Sequence, residues 1–232
     1  KVYAENTSDT LQKPIITVSP NPNEAGWYNA ENKPTITITK PTDATSETQK
    51  AEIRYRIVAT GGLEINGEGE KGKLYEGPYT IEETGRYTVT AWTSNGENKS
   101  ENETYASTIK IDTNKPSINE PEITQANGKP AIENWYSTDV KIKITGHDET
   151  SEPISYEYKI TNSQKNINTD WTEKAINQTI DLPANTYEGE TEIEIRTKDS
   201  AGNTSDEKTK TIKIDKTAPE ITTNWDDLIN NA

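Results

Sequence analysis

Cysteine and methionine are absent from the 232-residue sequence, and histidine occurs once. Without cysteine there is no disulfide, and no thiolate to act as nucleophile or metal ligand. One imidazole is too few for a histidine-based zinc site. The lack of methionine implies that Lys1 is not a natural start. Lys1-Val2-Tyr3-Ala4-Glu5 has the form of the tail of a secretory cleavage site, with valine at −3 and alanine at −1. Apolar residues are also scarce, at 29% of the chain with a mean hydropathy of −0.98, against roughly 45–50% in ordinary globular domains. Yet five Trp and eleven Tyr sit inside alternating segments, which disordered chains lack, so thin cores fit better than disorder. No stretch approaches the ~20 apolar residues of a membrane-spanning helix. Basic residues are outnumbered 25 to 39, a net charge of −14. A polyanion or an anionic bilayer would be repelled, which excludes nucleic acid and membrane insertion as roles for this segment.

What the sequence does contain is a repeat. Thr108-Ile109-Lys110-Ile111-Asp112-Thr113-Asn114-Lys115-Pro116 recurs as Thr211-Ile212-Lys213-Ile214-Asp215-Lys216-Thr217-Ala218-Pro219. The spacing is 103 residues (215 − 112), the length of one small β-domain. Each copy reads as a closing strand, a short polar hinge, and a proline that opens the next unit.

Between these junctions the pattern is β throughout. Thr35-Ile36-Thr37-Ile38-Thr39 alternates with period two, which turns Ile36 and Ile38 inward. In Glu52 to Val58 the inward set is Ile53, Tyr55 and Ile57; in Tyr87 to Thr93 it is Tyr87, Val89 and Ala91. The second copy answers with Val140 to Ile144, Ile154 to Ile160 and Glu192 to Thr197. Trp135-Tyr136 answers Trp27-Tyr28. No ten-residue stretch has a helical period. Residues 1–12 read as a leader or linker, 13–114 and 115–218 as two domains, and 219–232 as a tail or the start of a third repeat.

The set Trp-Tyr, a Tyr-x-Tyr/Arg strand, Asp199-Ser200-Ala201-Gly202-Asn203 and Ile214-Asp215-Lys216-Thr217-Ala218-Pro219 resembles the tandem Ig-like repeats of Gram-positive surface proteins and adhesins. The resemblance covers about residues 13–219. The first repeat departs from it, with Asn95-Gly96-Glu97-Asn98 in place of the Asp-Ser-Ala-Gly-Asn turn. It implies two tandem immunoglobulin-like β-sandwiches in an elongated arrangement, forming a non-catalytic stalk or spacer on the outside of a bacterial cell. The implied partners are neighbouring modules of the same protein, with a host protein or glycan beyond them. Two alternatives stand beside it. One is a fibre subunit joined by strand addition through residues 1–12 or the Glu220–Trp225 tail. The other is a glycan-binding accessory module of a cell-wall enzyme.

Candidate chemistry is sparse. Gly67 to Gly72 spells GxGxxG, but a dinucleotide loop needs a following helix to hold the pyrophosphate, and none is expected here. His147 lies at a strand end with no counterpart in the first repeat, so a Ser-His-Asp triad is not expected. Paired carboxylates for glycoside hydrolysis need a cleft that a thin sandwich does not offer. No catalytic residue and no obligatory cofactor is expected. Two features remain. Asp112 and Asp215, each at a repeat junction, are candidates to hold a calcium ion shared with carboxylates of the adjoining module. Trp92 alternates outward where its counterpart Arg196 is charged, which makes it a candidate for stacking on a sugar or protein partner.

Overall fold

Threonine and isoleucine alternate through Thr35–Thr39, and the structure uses that alternation as a strand must: Ile36 and Ile38 are buried while the threonines face outward. The computed structural model describes residues 10–65 and 68–220, and the chain is all-β. It divides into two compact units. Unit 1 comprises Lys1–Pro116 together with Asp148–Pro153 and Lys198–Thr204; unit 2 comprises Ser117–His147, Ile154–Thr197 and Ser205–Ala232.

Unit 1 holds strands β1 (Ile15–Ser19), β2 (Trp27–Tyr28), β3 (Thr35–Thr39), β4 (Glu52–Ala59), β5 (Lys73–Leu74), β6 (Tyr79–Thr80), β7 (Gly85–Ser94), β8 (Glu103–Thr104) and β9 (Ile109–Ile111). One sheet runs β1-β3-β6 and the other β2-β9-β7-β4-β5, with β8 on β7. Pairing is antiparallel except that β2 lies parallel to β9, Trp27 opposite Lys110. A five-residue helix, α1 (Ser46–Lys50), is capped by the Thr45 hydroxyl. The core between the sheets contains Ile36, Ile38, Tyr55, Ile57, Val89 and Ile111. Each fully buried aliphatic side chain among them contributes about 1.5–3 kcal/mol.

The second repeat lays down the same plan with β10 (Ser117–Ile118), β11 (Glu122–Gln125), β12 (Trp135–Tyr136), β13 (Val140–Lys143), β14 (Gly146–His147), β15 (Pro153–Asn162), β16 (Ile167–Asn168), β17 (Thr172–Ala175), β18 (Thr179–Leu182), β19 (Gly189–Asp199) and β20 (Lys208–Ile214). Its sheets run β11-β13-β18 and β12-β20-β19-β15-β16, with β17 on β15 and β12 parallel to β20. Tyr156, Ile142, Ile180, Leu182, Ile193, Ile195 and Ile212 fill the core. Two sheets face to face around one core, repeated, make these tandem immunoglobulin-like sandwiches.

The structure departs from the sequence reading at the start of the first domain. Residues 10–12 are more than linker: Leu11 is buried, the Gln12 N–H donates to Thr48 Oγ1 at 3.0 Å, and Gln12 Oε1 accepts from the Thr45 N–H at 2.7 Å. The glycine-rich stretch after β4 turns back on that strand, the Ala59 N–H donating to the Leu63 carbonyl at 2.7 Å and Val58 bridging Glu64. It forms a 3-10 turn over Gly69–Lys71 and returns as β5 along β4. Gly67, the first residue of the GxGxxG string, and Trp225 of the tail lie outside the described residues.

Candidate metal centre

The principal cluster of titratable groups lies in unit 1 and starts from Asp112. The residue follows β9, where its N–H donates to the Tyr28 carbonyl at 2.9 Å. Its Oδ1 accepts the Asn114 N–H at 3.0 Å, the turn bond that aspartate forms two residues on. Its Oδ2 accepts the Ser151 hydroxyl at 2.6 Å.

Two further aspartates complete the cluster. Asp148 Oδ1 accepts from the N–H groups of Thr150 and Ser151, at 2.7 and 2.9 Å. Asp199 closes β19 and opens the Asp-Ser-Ala-Gly-Asn turn, each position of which has work to do. Asp199 accepts the Asn203 N–H on Oδ1 and the Asn203 side-chain amide on Oδ2, both at 2.9 Å. That amide also donates to the Asp112 carbonyl at 3.0 Å. Gly202 takes φ +92, a conformation that residues with a side chain avoid. The carbonyls of Ser200 and Ala201 accept the side-chain amides of Asn23 and Asn29.

Asp112, Asp148 and Asp199 are all buried, and one carboxylate oxygen from each lies within 4.8 Å of the others. Ligands about 2.4 Å from one calcium ion are at most about 4.8 Å apart, so the spacing suits a shared cation. Among the described residues, no ion pair ends on any of the three. Burial pushes the Asp112 carboxyl above its usual range; the Ser151 and Asn114 bonds oppose this, and the charges of Asp148 and Asp199 add to it. Burial likewise raises Asp199 against its bonds to Asn203. Buried like charges favour either protonation or a cation. Calcium takes six to eight oxygens; the three carboxylates supply part of that shell and the Ser151 hydroxyl is beside it.

Asp215, the candidate at the second junction, lies apart from this cluster. It is exposed, and its Oδ1 accepts the Thr217 N–H at 2.8 Å, the same turn bond that Asp112 makes. Asp148 and Asp199 were missed by sequence reasoning. The signal was present, since only the second repeat carries an aspartate at these two turn positions. The first has Thr45, whose hydroxyl accepts the Thr48 N–H, and Asn95.

Trp92 corrects an expectation. It stands on β7 opposite Arg54 of β4, but its ring is only 3% exposed. A Cβ on Gly72 would come within 2.4 Å of the ring, and Lys99 Nζ lies 4.2 Å from its centroid. Covered on both counts, the ring offers no open stacking face. His147 is exposed at the end of β14.

No protein-family model and no curated protein matches this chain. Solved structures do. The fibronectin(III)-like modules of Clostridium thermocellum CbhA are 13% identical, with 90% of this chain and 100% of that one covered and a TM-score of 0.37. A two-domain fibronectin type-III segment of chicken tenascin is 10% identical, with coverage of 87% and 99% and a TM-score of 0.36. Domains A168–A170 of titin are 12% identical, with coverage of 88% and 67% and a TM-score of 0.48. At such identities a likeness concerns fold alone, so any function has to rest on this chain's own residues.

Proposed function

We propose that this chain is a non-catalytic spacer segment of a bacterial cell-surface protein, outside the cell, with neighbouring modules of the same protein as its partners. The observation that carries the reading is the duplicated plan: one strand order is laid down twice, each time around its own core. A repeated, self-contained sandwich adds length without adding chemistry. The surplus of acids keeps such a surface soluble. Light scattering over a concentration series tests it. The mass of one chain, 25.9 kDa, at every concentration fits a spacer; a mass that grows with concentration would replace it by the fibre subunit.

The cation site belongs to the same proposal, with Asp112 joined by Asp148 and Asp199. Calcium would remove the repulsion among three buried carboxylates and fasten the turns that carry them. Calorimetry in calcium and in chelator decides this. A melting temperature of unit 1 that rises with calcium in the natural chain and not in Asp199→Asn supports the site. Identical melts in calcium and chelator reduce the trio to turn-forming aspartates.

A further inference from the structure

In unit 2, Trp135, Tyr136 and Asp215 reproduce bond by bond an end of unit 1 that is covered. Trp27 stands opposite Lys110 in the parallel pair β2–β9, and Trp135 opposite Lys213 in β12–β20. The Asp112 N–H donates to the Tyr28 carbonyl at 2.9 Å; the Asp215 N–H donates to the Tyr136 carbonyl at 2.9 Å. Both aspartates close the same side-chain turn, on Asn114 and on Thr217.

The two ends differ in what lies over them. In unit 1, Asp112 Oδ2 takes the Ser151 hydroxyl and the Asp112 carbonyl takes the Asn203 amide. The turn carbonyls of Ser200 and Ala201 receive Asn23 and Asn29, and Trp27 is 6% exposed. In unit 2, among the described residues, the same two acceptor atoms of Asp215 have no donor. Trp135 is 44% exposed and Ile132 78%. With Pro130 and Tyr136 they border a depression of about 320 Å³.

This surface is built rather than loose. Ile132 and Trp135 exchange main-chain hydrogen bonds at 3.1 and 2.8 Å, across a two-residue turn in which Glu133 and Asn134 have φ +51 and +67. A glutamate in the left-handed region is strained, and here it sets two large apolar side chains next to each other. Gln125 braces the loop behind them. Its amide donates to the carbonyls of Lys129 and Pro130, and its oxygen accepts the Ser137 N–H.

We propose that this end of unit 2 is the seat of a further sandwich repeat of the same type. That repeat places a hydroxyl on Asp215 Oδ2, an asparagine amide on the Asp215 carbonyl, and its turns over Trp135 and Ile132. The occupant follows from unit 1, where the equivalent end is covered by those groups. The one departure, Ile132 where unit 1 has the polar Asn23, calls for a more apolar turn in the newcomer. The inference rests on the spacer reading and names the partner that reading requires.

The test inserts a second copy of residues 117–219 between Pro219 and Glu220 of the full chain. The protein has no native cysteine, so Ile132→Cys in the original repeat provides a single exposed thiol. Its alkylation rate by iodoacetamide is compared with and without the insert, while calorimetry reads folding of the insert as an unfolding enthalpy raised by roughly two fifths. Seating slows alkylation about tenfold, the scale of protection that local burial gives. Changing the insert's own Ser151 and Asn203 to alanine restores the rate. An unchanged rate beside a folded insert overturns the proposal, and so does an insert that cannot fold on this acceptor. Disulfide-linked dimers of Ile132→Cys without the insert would make the occupant a second copy of this chain, and overturn it as well. The first two outcomes leave the spacer reading standing, because that reading fails only if mass rises with concentration, whereas pairing of two copies would be checked against it by that same mass measurement.

Discussion

Trp27 and Trp135 occupy the same place in the two repeats, each on a two-residue strand parallel to the closing strand, yet one is buried and the other nearly half exposed. Trp27 is flanked by Arg86 and Lys110, 4.7 and 5.0 Å from its ring centroid, and its turn is tied through Asn23 and Asn29. Among the described residues, Trp135 has only Lys213 over its ring, at 5.9 Å. An identical local strand thus has two environments, and the difference lies in what covers it. A second contrast follows the same logic. On β7 the ring is Trp92 and the cation Lys99; on β19 the cation is Arg196, 4.4 Å from the ring of Trp171. The strand position holds the ring in one repeat and the cation in the other, and in both a cation lies over an indole.

The sharpest way to break the first contrast is truncation. Trp27→Ala is expected to cost unit 1 about 3–5 kcal/mol, because it empties a buried aromatic site, while Trp135→Ala costs unit 2 under about 1 kcal/mol. Denaturant unfolding followed by tyrosine fluorescence in both variants checks this, and equal losses would erase the distinction. Next in size is Gly72→Ala. Its φ of +63 disfavours any side chain, and the new methyl would meet the Trp92 ring and the Tyr55 carbonyl. A loss of about 2–3 kcal/mol is expected from strain and displacement together. A neutral result would mean that the turn over Trp92 is not seated as described.

The smallest effect is the most diagnostic, because the two units titrate in opposite directions. In unit 1 Asp112 and Asp199 are raised chiefly by burial. A raised folded value means that the folded state binds the proton more tightly. The stability this gives is fully present below the ordinary carboxylate value of 3.8 and is lost as pH rises through the folded values. In unit 2, Glu120 is held low by hydrogen bonds to Lys210 and Lys208, and Glu188 by Thr217 and Lys165. Asp181, though burial raises it, is brought below its usual range by Lys141 and Thr179. Stability from these groups is present above the ordinary carboxylate value and is lost as pH falls through the lowered ones. In chelator, acidifying from neutrality towards pH 4 is therefore expected to raise the melting transition of unit 1, while that of unit 2 falls only as the pH drops below the ordinary carboxylate value. Asp199→Asn should flatten the first trend and leave the second. Parallel shifts of both transitions in calorimetry would show that the trio does not govern unit 1.

Much of the fold was legible in the residues. The 103-residue spacing from Asp112 to Asp215, the period-two burial of Ile36 and Ile38, and the Trp-Tyr pairs all survive in the strands. The candidate site was legible only in part. Asp112 was visible as a junction residue, but its companions stand 36 and 87 positions further along (148 − 112, 199 − 112), and no local pattern joins residues so far apart. Trp92 shows the same limit from the other side. Alternation tells which face of a strand a side chain takes, and says nothing of whether a loop returns to cover that face.

By itself, then, the sequence determined the strands, their inward faces and the doubling of the unit, because these follow from the two-residue period of an extended chain and from turn residues acting over a few neighbours. Only the tertiary structure decided that Asp112, Asp148 and Asp199 meet, that Trp92 is roofed by Gly72 and Lys99, and that Trp27 is covered where Trp135 is open. Those are facts about distant segments brought together, and the free energy that brings them together is the burial of the cores, not a preference of the residues that meet.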